Sequence, residues 1–226
     1  TDLGERQARQ AQGLLLSLLA PQKGAFPTAQ DALIELWRHP DLLSEIIDLL
    51  ELLVGSTRHL HEPLDADYPI PLQTHATYSR DEVLAAYGSS TVSKPLPLVA
   101  GVFWQEESKT DLFFITTNKS EQDYSPTTRY DDYAISDTIF HWESQSTTSV
   151  DSPVGQRYIN HVARGSRVAL FIRPTRKDLN GRVTPYFCAG FGTYVDHKGE
   201  RPMAITWRLT KPLPGDTYSN YRAAIA

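Results

Sequence analysis

Residues 140–146 read Phe-His-Trp-Glu-Ser-Gln-Ser, and side chains of these types could read the edge of a nucleic-acid base. On an extended strand, successive side chains alternate sides. Phe140, Trp142 and Ser144 then share one face, and His141, Glu143 and Gln145 share the other. A base reader needs an aromatic surface to replace lost stacking, and donors and acceptors for the base edge. Trp142 suits the first task, and His141, Glu143 and Gln145 suit the second. Just upstream, residues 124–133 (YSPTTRYDDY) offer hydroxyls and Arg129 for phosphates, Tyr130 or Tyr133 for stacking, and Asp131 or Asp132 to accept from a cytosine amino group. The expected pocket is therefore Tyr130, Asp131, Asp132, Phe140, His141, Trp142, Glu143 and Gln145. Taken singly, each residue fits a core strand or a well-capped surface loop just as well.

Charge supports a polyanionic partner. The formal net charge of −5 conceals an asymmetry. Residues 1–70 hold 11 acids and 5 bases (11 − 5, so −6), and the remainder holds 16 acids and 17 bases, so +1. From Arg157 to Arg182 there are seven basic residues and one acid, Asp178. Such a cluster can attract phosphates despite an acidic total. Arg129, Arg157, Arg164, Arg167 and Arg173 are the expected phosphate contacts.

Catalysis is the weaker reading. A restriction-type nuclease sets an acid before a strand bearing an acid-x-lysine pair, to hold magnesium and orient water. Asp132 or Asp137 followed by Glu143 and Gln145 imitates the spacing, but the lysine is missing. His59, His61, Glu62, Asp65 and Asp67 fall in a proline-rich stretch where acids are usually solvated. The single cysteine, Cys188, lies in an apolar strand and reads as a small buried hydrophobe. No Gly-x-Ser-x-Gly and no phosphate-binding glycine loop occurs. No catalytic residue, metal or cofactor is assigned, and the chain is read as a non-enzyme whose parent carries the catalysis.

These residues need a scaffold. Residues 1–65 carry three amphipathic helical segments, with Thr28 as N-cap of the second, Pro40 as its stop, and Gly55 beyond the third. Residues 66–95 read as a linker holding one short helix, where Ser79 and Glu82 form a capping box. Residues 96–212 alternate and carry β-branched and aromatic side chains in six strands, with a short helix inserted at "VGQRYINHVARG". Residues 213–226 read as a tail. With one cysteine, a polar start and no apolar run long enough to span a bilayer, the expected setting is cytoplasmic and not membranous. The absent initiator methionine reads as a piece cut from a longer protein.

Two resemblances sharpen this. "GVFWQEESKTDLFFITTNKSEQDYSPTTRYDDYAIS", "FHWESQS", "GQRYINH" and "RPMAITWRL" resemble an uncharacterised domain at the C-terminus of bacterial superfamily-two helicases, many with a phospholipase-D-type nuclease at the other end. "GSRVALFIRP", "TPYFCAGFGTYV" and "ITWRL" are similar in rhythm to the closing strands of PUA-like barrels, the group with EVE, ASCH and SRA domains. The first implies a targeting module in restriction of foreign DNA, with helicase and nuclease parts of the same parent chain as partners. The second implies an aromatic pocket for a modified base. The expected fold is α+β: a helical segment followed by a PUA-like, partly closed antiparallel β-barrel with one or two short helices. The expected function is reading double-stranded DNA, with a modified base or backbone as the expected mark. The alternatives are a magnesium-dependent nuclease domain and a protein-interaction platform docking on the parent helicase.

Overall fold

The computed structural model describes residues 4–56, 62–64, 68–118 and 132–222. They form two compact units. One comprises residues up to Gln73 together with Ser79–Leu98, and the other Thr74–Tyr78 together with Val99 onward.

The first unit is helical, with α1 (Glu5–Leu19), α2 (Ala29–Trp37), α3 (Pro40–Ser56) and α4 (Arg80–Ala86). The caps are those the sequence predicts. The Thr28 hydroxyl accepts from the Asp31 amide at 3.1 Å, and the Asp31 carboxylate accepts from the Thr28 amide at 3.0 Å. Ser79 and Glu82 repeat this exchange at the start of α4, at 3.2 and 2.6 Å. Pro40 does not follow α2 as a bare stop; it opens α3, where its missing N–H costs nothing. Leu15, Leu16, Ala32, Leu36, Ala85 and Val92 form a small shared core. A Cβ on Gly13 would stand 3.5 Å from the Glu82 Cα, so α1 and α4 approach closely. Residues 79–95, expected within the linker, and 96–98, expected at the start of the β-rich domain, belong to the helical unit, tied in further by Arg9 donating to the Ala86 carbonyl at 3.3 Å.

The short strands β1 (Glu62–Pro63), β2 (Gln73–Thr74) and β3 (Thr77–Tyr78) precede α4. After it come β4 (Val102–Gln105), β5 (Thr110–Thr116), β6 (Tyr133–Ala134), β7 (Ile139–Glu143), α5 (Pro153–Ile159), β8 (Arg167–Arg173), β9 (Tyr186–Lys198), β10 (Ala204–Leu209) and α6 (Gly215–Tyr221). The fold is thus α+β, with one large sheet in the order β4-β5-β8-β9-β10-β7-β6 and β3 pairing with β9. All six predicted strands are present.

The sheet departs from expectation in two respects. β5 and β8 run parallel, from Thr110 opposite Arg167 to Thr116 opposite Arg173, and β4 and β6 end the strand path without closing it. The described residues therefore form an open mixed sheet and not an antiparallel barrel. The cause lies between the two strands: the chain passes through β6, β7 and α5 before returning, a crossover that brings β8 back in the same direction. Both strands are buried along nearly their whole length, as central parallel strands are. The expected tail also gains structure. Within it α6 forms, and Tyr221 is buried with its hydroxyl donating to the Ile172 carbonyl at 3.1 Å.

Two polar contacts fix α5 and its exit on the sheet. Arg157 donates twice to the fully buried Asp111 of β5, at 2.7 and 2.8 Å. Its guanidinium also lies 4.4 Å from the Trp104 ring centre. Just beyond α5, buried His161 accepts from the Tyr194 amide at 3.0 Å through Nε2. Its Nδ1 lies 3.4 Å from the Ser166 carbonyl, to which it donates in the neutral ring. Among the described residues no helix is long and apolar enough to cross a membrane.

Arg157→Ala should leave the Asp111 carboxylate buried without its counter-ion and lower unfolding stability in urea by about 3–5 kcal/mol. Arg157→Lys should recover only part, because one ammonium cannot reproduce the two-pronged bond. Burial also holds the His161 imidazole below its ordinary range, with the Ser166 carbonyl opposing the shift. A folded-state value below the unfolded one favours the neutral ring in the native state. Stability is then present above about pH 6.5 and lost as pH falls towards the folded value. The urea midpoint should decline from about pH 7 to about pH 5, and His161→Gln should flatten that decline.

Candidate nucleic-acid interface

The alternation predicted for 140–145 is present, but the two faces have other roles. Phe140 is fully buried and Trp142 is 5% exposed, both inside the main core. Trp142 packs 4.1 Å from Phe113 and edge-on to Tyr158 at 5.7 Å, and Phe113 in turn meets Trp207 edge-on at 5.6 Å. The ring faces proposed for a base are occupied by protein side chains. Phe140 and Trp142 are core residues in this structure, because β7 is an inner strand of the sheet path, paired with β10 on one side and β6 on the other.

The opposite face is half-buried and polar. His141 stands opposite Tyr133 on β6 and Thr206 on β10, and its ring stacks on Tyr133 at 4.8 Å. Thr206 in turn faces Asp196 of β9, which gives a row Tyr133–His141–Thr206–Asp196 across the sheet. Glu143 is next along, opposite Ala204. Asp132 is buried, and its carboxylate accepts from the Glu143 amide at 2.9 Å, so it braces the strand. Gln145 lies just past β7 in a turn, its carbonyl accepting from the Thr148 amide at 2.8 Å. Arg129, Tyr130 and Asp131 lie outside the described residues.

The expected phosphate contacts divide. Arg157 is committed to Asp111. Arg173 is buried, donating to the Thr116 hydroxyl at 3.0 Å and the Thr184 carbonyl at 3.3 Å, with its guanidinium 4.3 Å from the Tyr186 ring centre. Neither presents a charge to a ligand in this arrangement. Arg167 is half-buried beside the Phe191 ring at 5.3 Å, and Arg164 is exposed.

The more open basic group follows β8. Arg176 and Lys177 run out, and Arg182 and Val183 run back, with Lys177 bridged to Val183 and the Thr184 amide donating to the Arg176 carbonyl at 3.1 Å. Asp178-Leu179-Asn180-Gly181 closes the turn. The Gly181 amide donates to the Asp178 carbonyl at 3.0 Å, and Gly181 adopts φ +77°, which favours glycine. The Asp178 carboxylate accepts from the amides of Asn180 and Arg182, both at 2.8 Å, so the lone acid is turned towards backbone. Arg176, Lys177 and Arg182 are exposed, and Leu179 at the tip is 106% exposed. Three bases and one acid leave a net +2 on the turn. The basic count between Arg157 and Arg182 carried this signal; what it lacked was the division between arginines spent on the core and those on the turn.

A family model described as a domain of unknown function, DUF3427, matches residues 72–221. The chain belongs to that family. The DUF3427 span takes in β2 to β10 and α4 to α6, and with them β7 and the Asp178–Gly181 turn. Comparison with curated proteins gives no match.

Among the described residues no group of three His, Cys, Asp or Glu is placed to hold a metal ion. Cys188 is fully buried, and burial pushes its thiol up to about 12, far from a nucleophile's range. Trp142→Ala should behave as a core deletion, lowering urea stability by about 3–5 kcal/mol. A variant that keeps wild-type stability would return Trp142 to the role of an accessible pocket wall.

Proposed function

We propose that this DUF3427 chain is a duplex-DNA-binding module, and that the Arg176–Arg182 turn is its principal contact. The observation that carries the reading is the turn itself. A fully exposed leucine stands at its tip, flanked by exposed Arg176, Lys177 and Arg182, on a backbone held by five hydrogen bonds. Water gives no reason to hold a leucine out on a stiff turn. A duplex does, since proteins insert apolar wedges between base steps while neighbouring Arg and Lys hold phosphates. Arg164 and Arg167, before and at the start of β8, are the further phosphate contacts of the reading.

The resemblance to C-terminal domains of superfamily-two helicases supports a place in a restriction or defence protein whose helicase and nuclease parts act on the DNA held here. The PUA-like rhythm of β8, β9 and β10 supports the same polymer as ligand. The closed aromatic cluster around Trp142 moves the proposed duplex contact from β7 to the turn, and selectivity for a modified base becomes one arm of the test.

Binding is measured by fluorescence anisotropy in EDTA at several salt concentrations. The duplexes are plain, methylated, hydroxymethylated, glucosylated and phosphorothioated. Replacing Arg176, Lys177 and Arg182 together by Gln should weaken binding and make the salt dependence shallower by roughly three in log–log slope. Leu179→Ser should weaken binding with the slope unchanged, because it removes no counter-ion release. Absence of duplex binding at low salt, or an unaltered affinity in the triple variant, would contradict the proposal. Cleavage that appears only with magnesium and vanishes in Glu143→Ala would favour a nuclease instead.

A further inference from the structure

The helix α3 poses a separate question, independent of DNA. None of residues 40–55 is buried, although this helix carries more leucine and isoleucine than any other element of the chain. At 3.6 residues per turn its side chains sort into two sectors. Leu42, Leu49, Leu50, Leu53, Val54 and Ile47 are exposed and lie within roughly 160° of one side. Asp41, Glu45, Asp48 and Glu51 occupy the other side, with Glu45 at one border of the apolar stripe and Glu51 at the opposite border; one exposed leucine, Leu52, stands among these acids between Asp41 and Glu45. The helix contains no Lys or Arg.

A contiguous apolar face of this kind marks an interaction surface, and its charged borders indicate what covers it. Two copies of α3 face to face would set carboxylate borders against carboxylate borders, a like-charge pairing that opposes association. An anionic lipid surface meets the same repulsion. We infer that α3 docks an amphipathic helix of a partner protein whose Leu/Ile stripe is bordered on both sides by Lys or Arg. The apolar stripes supply the affinity and the borders the selectivity, as in helix-in-groove and paired-helix recognition.

The test uses the full chain and two synthetic helical peptides with one shared leucine stripe, one bordered by lysine and the other by glutamate. The lysine peptide should bind, more weakly at high salt, and should slow amide exchange across residues 40–56. The glutamate peptide should not bind. Glu45→Lys with Glu51→Lys should reverse the preference; both positions are exposed, and circular dichroism should show the helix content unchanged. Leu50→Asp with Leu53→Asp should abolish binding of either peptide, with circular dichroism confirming that the helix persists. Binding of neither peptide, or of both equally, would overturn the inference. So would concentration-dependent self-association lost in the Leu50/Leu53 variant, which would make a second copy the occupant, or binding of the wild-type chain to phosphatidylglycerol vesicles.

Discussion

The second unit depends on one buried ion pair. A parallel pair of strands requires a crossover that returns to the sheet, and here the crossover is anchored where Arg157 of α5 meets Asp111 of β5. Asp111 has no contact with solvent, so its charge is tolerated only because two N–H groups of one guanidinium meet both of its oxygens. Burial still drives its carboxyl above the usual range, and Arg157 draws it part of the way back. The same contact stacks Arg157 on Trp104 of β4 and sets Tyr158 against Phe113 and Trp142. From that point the aromatic core extends through Trp207 to His161, which in turn receives the Tyr194 amide.

This constraint explains how the chain's basic residues divide. An arginine near the crossover is used to hold the fold: Arg157 by a carboxylate, Arg173 by a hydroxyl, a carbonyl and a tyrosine ring. Where the chain leaves the sheet between β8 and β9, the same residue type is exposed. There the backbone of the Asp178–Gly181 turn is satisfied internally, which leaves Arg176, Lys177, Leu179 and Arg182 outward. Two glycines separated by Phe191 allow close approach in β9. Gly190 adopts φ +88° at the β8 register shift, and a Cβ on Gly192 would stand 2.8 Å from Leu170.

Much of this was legible in the sequence. Caps at Thr28 and Ser79, the helical start and all six long strands follow from local chemistry, which acts over a few residues. The parallel pairing was legible as well, had the unbroken apolar runs of "DLFFIT" and "VALFI" been read as strands covered on both faces. The α6 helix was not, since "GDTYSNY" has little helical propensity and is held by the burial of Tyr221. For the candidate site, the alternation of side chains along 140–143 was predicted, but not that the face with Phe140 and Trp142 would be closed inside the core. What sequence could not supply was the distant partners, Phe113, Tyr158 and Trp207, that fill the space beside Trp142. Nor could it show that Asp111 would claim Arg157, since the two lie 46 residues apart.

The central claim is that duplex DNA is held by the β8–β9 turn and not by the Phe-His-Trp strand. Amide hydrogen exchange of the full chain, with and without a short duplex, tests it most directly. The account predicts slower exchange across residues 174–185 and 163–167, with 139–145 unchanged. Protection of 139–145 with the turn unchanged would contradict it and restore β7 as the reading surface.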